Sequence, residues 1–198
     1  MTRGLDRIRL WRSLTLVVAL APAGWLLWGW FTDGLGADPI QTVVHVTGQV
    51  AFVVLAATLA LGPLARLSGA GWLLAARRGM GLAAFAWASA HGLAWAGLDQ
   101  FWEWYFMVQD IAGRPYLQAG LIAWLLLLPL AVTSTDAWQR RLGASGWAWL
   151  HRLSYVVAGI ALLHVYLQIR ADYRTFIILT SVFAVIVAAR MVARFYRP

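Results

Sequence analysis

Six apolar stretches, near residues 11–31, 43–64, 79–98, 116–134, 147–168 and 174–193, decide what this chain can fold into. Each is about long enough to cross a hydrocarbon core roughly 30 Å thick. No water inside that core satisfies a backbone N–H or C=O, so an apolar stretch of this length closes its own hydrogen bonds as a helix. The 62% hydrophobic content agrees, and the breaks are chemically clear: Gly34, Gly36 and Pro39, then Gly62 and Pro63, then Gly113 and Pro115. The expected fold is all-α: a single polytopic membrane domain over 1–198, with six transmembrane helices and no internal repeat or low-complexity linker. The first stretch is too long for a signal-peptide core. It runs through "GWLLWGWF" into the polar turn "TDGLGADP" with no small-x-small cleavage site, which predicts a retained span.

Charge sets the orientation. All 16 basic residues are arginine. Arg3, Arg7, Arg9, Arg12, Arg66, Arg77, Arg78, Arg140, Arg141, Arg152, Arg190, Arg194 and Arg197 fall on one side of the six stretches, and Arg114, Arg170 and Arg174 on the other. Thirteen against three places both termini in the cytoplasm by the positive-inside rule. The net charge of +8 thus reports topology and contact with anionic lipid, not nucleic acid. With no cysteine, disulfides, thiolate metal sites and cysteine-ligated clusters are excluded. The eight acids (Asp6, Asp33, Asp38, Asp99, Glu103, Asp110, Asp136 and Asp172) all lie in or beside predicted loops. A proton- or cation-coupled transporter usually needs a carboxylate within the spans, so that class is disfavoured.

The titratable groups left at membrane depth are histidines. Span three rises from Arg78, so His91 lies roughly 20 Å up, in the outer half. Span five rises the same way, with His151 low and His164 high. His91 and His164 therefore match in depth on two helices, the arrangement that clamps one haem iron from both faces through neutral imidazoles. His151 precedes His164 by thirteen residues, again a rise of roughly 20 Å, which suits a second redox centre stacked across the bilayer. On an ideal helix those thirteen residues leave the two imidazoles about 140° apart. An intramembrane histidine also serves simply to hydrogen-bond helices together, and His151 beside Arg152 reads equally as an interfacial residue. His45, followed by Thr47 and Gly48, reads as a boundary residue. Trp25, Trp28, Trp30, Trp102, Trp104, Trp147 and Trp149 read as an interfacial belt, and Trp87 and Trp95 as packing. Gly79, Gly81, Gly92 and Gly97 allow close approach to the His91 helix by a neighbour or a flat macrocycle.

The segments "GLGADP" (34–39), "HVTG" (45–48), "GPLAR" (62–66), "RRGMGLAAFAWASAH" (77–91), "RPYLQAGLIAW" (114–124), "TSTDAWQRRLG" (133–143) and "WLHRLSYV" (149–156) resemble, in order and over nearly the whole chain, the MsrQ (YedZ) family. These are haem-binding membrane subunits of periplasmic protein-methionine-sulfoxide reductase systems, within the ferric reductase-like transmembrane superfamily. The resemblance implies a haem b protein of the bacterial inner membrane. It would pass electrons from the quinone pool, or a cytoplasmic flavin reductase, to a periplasmic molybdenum-cofactor subunit that repairs methionine sulfoxide. FMN is associated with the family. The ligand pattern carries over onto His91, His151 and His164. In the wider superfamily spans three and five each bear two ligating histidines; here the inner position of span three is Arg77 or Arg78, which leaves His151 to a differently ligated haem, a flavin or a quinone.

An iron with two protein ligands has no open position and so transfers electrons rather than activating substrate. No G-x-G-x-x-G follows a strand, and the chain closes shortly after span six, so electrons are expected from a membrane carrier or a separate protein. The outer segment 98–115, with five aromatics, is expected to rest on the membrane surface and to contact the periplasmic partner. Arg77, Arg78, Arg140 and Arg141 read first as topogenic charges, and second as holders of flavin phosphate or haem propionates. Two other classes remain: a self-sufficient transmembrane ferric reductase or oxidase-like conduit, and a non-redox protein whose histidines bind a metal ion or tie helices together.

Overall fold

The structure, a computed structural model, describes residues 2–169 and 171–195, with the side chains of residues 2–10, 12, 14 and 16 outside that description. Arg170, Arg197 and the side chains of Arg3, Arg7, Arg9 and Arg12, whose charges help set the expected orientation, lie outside it. The described residues form eight α-helices: α1 (Thr2–Phe31), α2 (Pro39–Ser68), α3 (Arg77–Ala94), α4 (Trp104–Gly113), α5 (Pro115–Val132), α6 (Asp136–Leu150), α7 (Leu153–Gln168) and α8 (Arg174–Phe195). A 3₁₀ turn, Gly71–Ala76, precedes α3, and a π turn, Trp95–Asp99, follows it. Three of these helices, α2, α5 and α8, are long and apolar enough to cross a membrane. The pair α6–α7, bent by 42°, makes a fourth candidate. At the remaining two predicted stretches stand a shorter apolar helix, Val17–Phe31 within α1, and α3 with its π turn.

The local chemistry explains most boundaries. Asp38 caps α2, its Oδ1 accepting from the Gln41 backbone N–H at 3.0 Å, and Pro39 opens the helix where no N–H is needed. Pro115 opens α5 in the same way. Thr135 caps α6, accepting from the Trp138 N–H at 3.3 Å, and Asp172 accepts from the Arg174 N–H at 2.9 Å at the start of α8. The expected break at Gly62 and Pro63 does not occur. Pro63 lies buried inside α2, which runs on to Ser68 and stops where Gly69 takes a left-handed conformation (φ 68°). A proline removes a single helical bond, which neighbouring packing tolerates at membrane depth; the left-handed glycine turns the chain away. The segment between predicted spans four and five is likewise not a plain loop. It is α6, which has a non-helical residue at Gly143 (φ 68°, ψ 166°) and no buried residue.

The chain divides into two compact units, Met1–Trp102 with Ala189–Pro198, and Glu103–Ala188. In the first, α2 and α3 run antiparallel: Val44 of α2 meets His91 near the end of α3, and the Thr58 methyl lies beside Gly81 near its start. Trp87 is buried and donates from Nε1 to the Ala19 carbonyl of α1 at 2.8 Å, so it packs as expected. Past the π turn, Phe101 and Trp102 both adopt left-handed φ (49° and 61°), which folds the Trp102 indole onto Gly97. A Cβ at Gly97 would lie 3.2 Å from that ring. In the second unit, α5 and α7 run antiparallel, Tyr116 meeting His164 and Thr133 meeting His151.

Trp87→Phe keeps an aromatic ring at the position but removes the hydrogen bond to the Ala19 carbonyl. It should cost about 1 kcal/mol, read as a lower thermal midpoint by circular dichroism in detergent; an unchanged midpoint would show that the indole bond contributes nothing.

Candidate functional site

His91 stands near the end of α3, with Nδ1 2.8 Å from the Val44 carbonyl oxygen of α2. A carbonyl only accepts, so Nδ1 carries the proton and the neutral ring keeps its lone pair on Nε2. The reach to that carbonyl is itself unusual, because a helical C=O at position i is overhung by the side chain at i+4. Here that position is Gly48. A Cβ there would sit 3.1 Å from both Nδ1 and Cε1 of His91, so the missing side chain is what lets the imidazole edge come down on the backbone.

The second unit repeats the arrangement. His164 of α7 donates from Nδ1 to the Tyr116 carbonyl oxygen of α5 at 2.6 Å. The residue four positions on is Gly120, where a Cβ would lie 2.9 Å from Nδ1 and 3.1 Å from Cε1. Both rings are half-buried. Each imidazole is thus held in the same tautomer by the same means, and each taken by itself suits a haem-iron ligand, since the second ring nitrogen of a ligating histidine typically donates to a carbonyl.

His151 is different. It caps the C-terminus of α6 at the bend before α7, so the straight helix on which it was expected thirteen residues before His164 is broken there, and the ideal-helix angle between the two rings does not apply. Its Nε2 lies 3.2 Å from Thr133 Oγ1, and its ring stacks on Trp147 with centroids 3.9 Å apart and planes 24° from parallel. Thr133 has one hydroxyl proton, and the 2.6 Å separation from the Pro129 carbonyl oxygen claims it. Nε2 of His151 therefore donates. Trp147 in turn donates from Nε1 to the Thr133 carbonyl at 2.9 Å. The indole expected in the interfacial belt is instead one wall of a histidine site, whereas Trp25, Trp28, Trp30, Trp102, Trp104 and Trp149 are exposed.

His45 is exposed on α2. Arg77 and Arg78 open α3, half-buried. Arg140 lines an open groove on α6 with Asp136, Gln139, Gly143 and Ala144, and the Arg141 guanidinium lies 5.3 Å above the Trp138 ring. The outer segment 98–115 contains α4, which buries Met107 and exposes Trp104, Tyr105, Phe106 and Val108. Among the described residues no three His, Asp or Glu side chains come together as a metal-ion site. Of the four glycines expected to allow close approach, Gly79 and Gly92 leave open space where a Cβ would stand, while a Cβ at Gly81 would lie 3.8 Å from the Thr58 methyl and one at Gly97 3.2 Å from the Trp102 ring. The close approaches of the histidine rings are at Gly48 and Gly120 on the partner helices, which inspection of the histidine-bearing helix could not find.

Thr133→Val should cost about 1 kcal/mol by leaving the His151 N–H without its acceptor. In a His151→Ala background the same change should cost less, by a coupling of about 0.5 kcal/mol or more. Equal costs in both backgrounds, from thermal unfolding in detergent, would show that the two side chains do not interact.

The family described as the ferric reductase like transmembrane component matches residues 47–162, more than half of the chain. The chain is also similar to proteins named protein-methionine-sulfoxide reductase heme-binding subunit MsrQ. That of Caulobacter vibrioides is 38% identical, over 90% of this chain and 85% of its own length. The Herminiimonas arsenicoxydans protein is 39% identical over 93% and 86%, and the Rhodospirillum rubrum protein 39% over 94% and 90%. With a relationship of that depth running almost end to end, the chain belongs to the MsrQ family of ferric reductase-like transmembrane proteins.

Proposed function

We propose that this chain is a haem b electron-transfer subunit of the bacterial inner membrane, with His91 and His164 as the two axial ligands of one haem. The observation that supports this reading is the repeated Nδ1–H···O=C bond, which puts the proton of both rings on Nδ1 and the lone pair on Nε2. The pairing of the two rings on one iron rests on their matching depth along spans three and five. In this reading the six apolar stretches are six spans, and the arginine distribution puts both termini in the cytoplasm and these histidines near the outer face.

Bound haem supplies one-electron transfer. The protein's own work is to hold and orient. The Val44 and Tyr116 carbonyls fix the tautomers of the two rings that would hold the haem, and a haem held by two protein histidines would pass electrons rather than bind a substrate. The relatives' name implies a partner that is the catalytic subunit of a protein-methionine-sulfoxide reductase; in our reading that acceptor is a periplasmic molybdenum-cofactor protein that repairs envelope proteins. The donor is the quinone pool or a cytoplasmic flavin reductase. His151, held by Thr133 and Trp147, marks the inner centre, where a second haem, FMN or a quinone is taken; Arg77 and Arg78 would hold a haem propionate or a flavin phosphate.

His91→Ala or His164→Ala should abolish the Soret and α-band changes of the reduced-minus-oxidised spectrum assigned to this haem, while His45→Ala leaves them unchanged. Retention of the bands in the first two variants, or their loss in the third, contradicts the assignment. Dithionite-reduced protein should be reoxidised by the periplasmic subunit and not by ferric chelates; the reverse result supports a self-sufficient ferric reductase.

A further inference from the structure

We propose that Gly48 and Gly120 are positioning residues for the two ligand imidazoles, each uncovering a backbone carbonyl that sets the tautomer and ligand strength of a histidine on the neighbouring helix. The inference rests on the ligand assignment of His91 and His164. It adds two residues that act on the iron only through the histidine each one faces.

In a helix the carbonyl of residue i already accepts from the N–H of residue i+4, and its remaining lone pair faces outward beneath the i+4 side chain. At 44/48 and at 116/120 that side chain is absent, and an imidazole takes the space. The ring cannot retreat from an added methyl and keep its bond. Nδ1 of His164 is held 2.6 Å from the Tyr116 oxygen, and the new Cβ would stand 2.9 Å from that same nitrogen. Releasing the carbonyl frees the ring to rotate and to exchange tautomers, and withdraws the acceptor that makes Nε2 a stronger base. The clearance at Gly48 is 3.1 Å, so the same displacement is smaller there. That the arrangement occurs in both units, on sequences as different as "VVHVTG" and "PYLQAG", shows that the glycines answer to the histidines and not to a local turn.

The test is haem titration of purified apoprotein, with low-spin ferric electron paramagnetic resonance of the loaded protein. Gly120→Ala should weaken haem binding about 10–100-fold, the range for losing a hydrogen-bond partner of a metal ligand, and shift the g-values of the haem that remains. Gly48→Ala should do the same to a smaller degree. Gly62→Ala on α2 and Gly159→Ala on α7, where the added Cβ would meet open space, are the controls and should match the wild type. Should Gly120→Ala fail to insert, the looser Gly48→Ala carries the test. Wild-type affinity and g-values in the folded Gly48 and Gly120 variants overturn the inference, as do equal losses in the controls. If His91→Ala and His164→Ala also keep their haem, the ligand assignment itself has failed; if they lose it, only the positioning role has.

Discussion

An imidazole in an apolar helix bundle is tolerable only if its N–H has an acceptor, and a spanning helix offers few. This chain supplies one from the backbone itself. In each unit a histidine N–H reaches a carbonyl on the adjacent antiparallel helix, through a gap left by a glycine one turn further on. The bond answers the desolvation of the ring, locks two helices in register, and determines which nitrogen faces away from the backbone with a lone pair. Stability and the placement of the ring's lone pair are served by one contact, made twice.

His151 marks where that pattern ends. The two carbonyl-bound histidines have counterparts thirteen residues earlier on their own stretches, Arg78 for His91 and His151 for His164. One is a cation at the first turn of α3. The other is an imidazole at a helix break, donating to a threonine hydroxyl and lying flat on an indole. Neither resembles the carbonyl-held rings, so the two ends of these stretches are built from different chemistry. The bend of 42° at the α6–α7 junction places His151 at a point where the backbone itself departs from a straight span.

Much of this was legible in the residues. The apolar stretches marked where helices would form, and Asp38–Pro39, Pro115 and the Thr135–Asp136 pair stand where three of them begin. Pro63 misled because proline breaks an isolated helix but only dents one packed among neighbours, and the real stop, Gly69, acts through a backbone angle that composition does not show. The helices α4 and α6 escaped notice for the opposite reason. They are short helices in segments whose polar and aromatic residues read as loop and belt. The histidines were visible as titratable groups at depth, and their tautomers were not. Val44 and Tyr116 contribute main-chain atoms, for which any side chain would serve, and Gly48 and Gly120 matter for what they lack. Only the phase of one helix against another discloses either pair.

The central claim is that His91 and His164 grip one iron through Nε2 while their Nδ1 protons stay on the Val44 and Tyr116 carbonyls. An experimental structure of the haem-loaded protein in lipid tests it most directly. The account predicts continuous density from one iron to the Nε2 atoms of both rings, with both carbonyl contacts intact. Ligation through Nδ1, or either ring turned from the iron onto another partner, would contradict it.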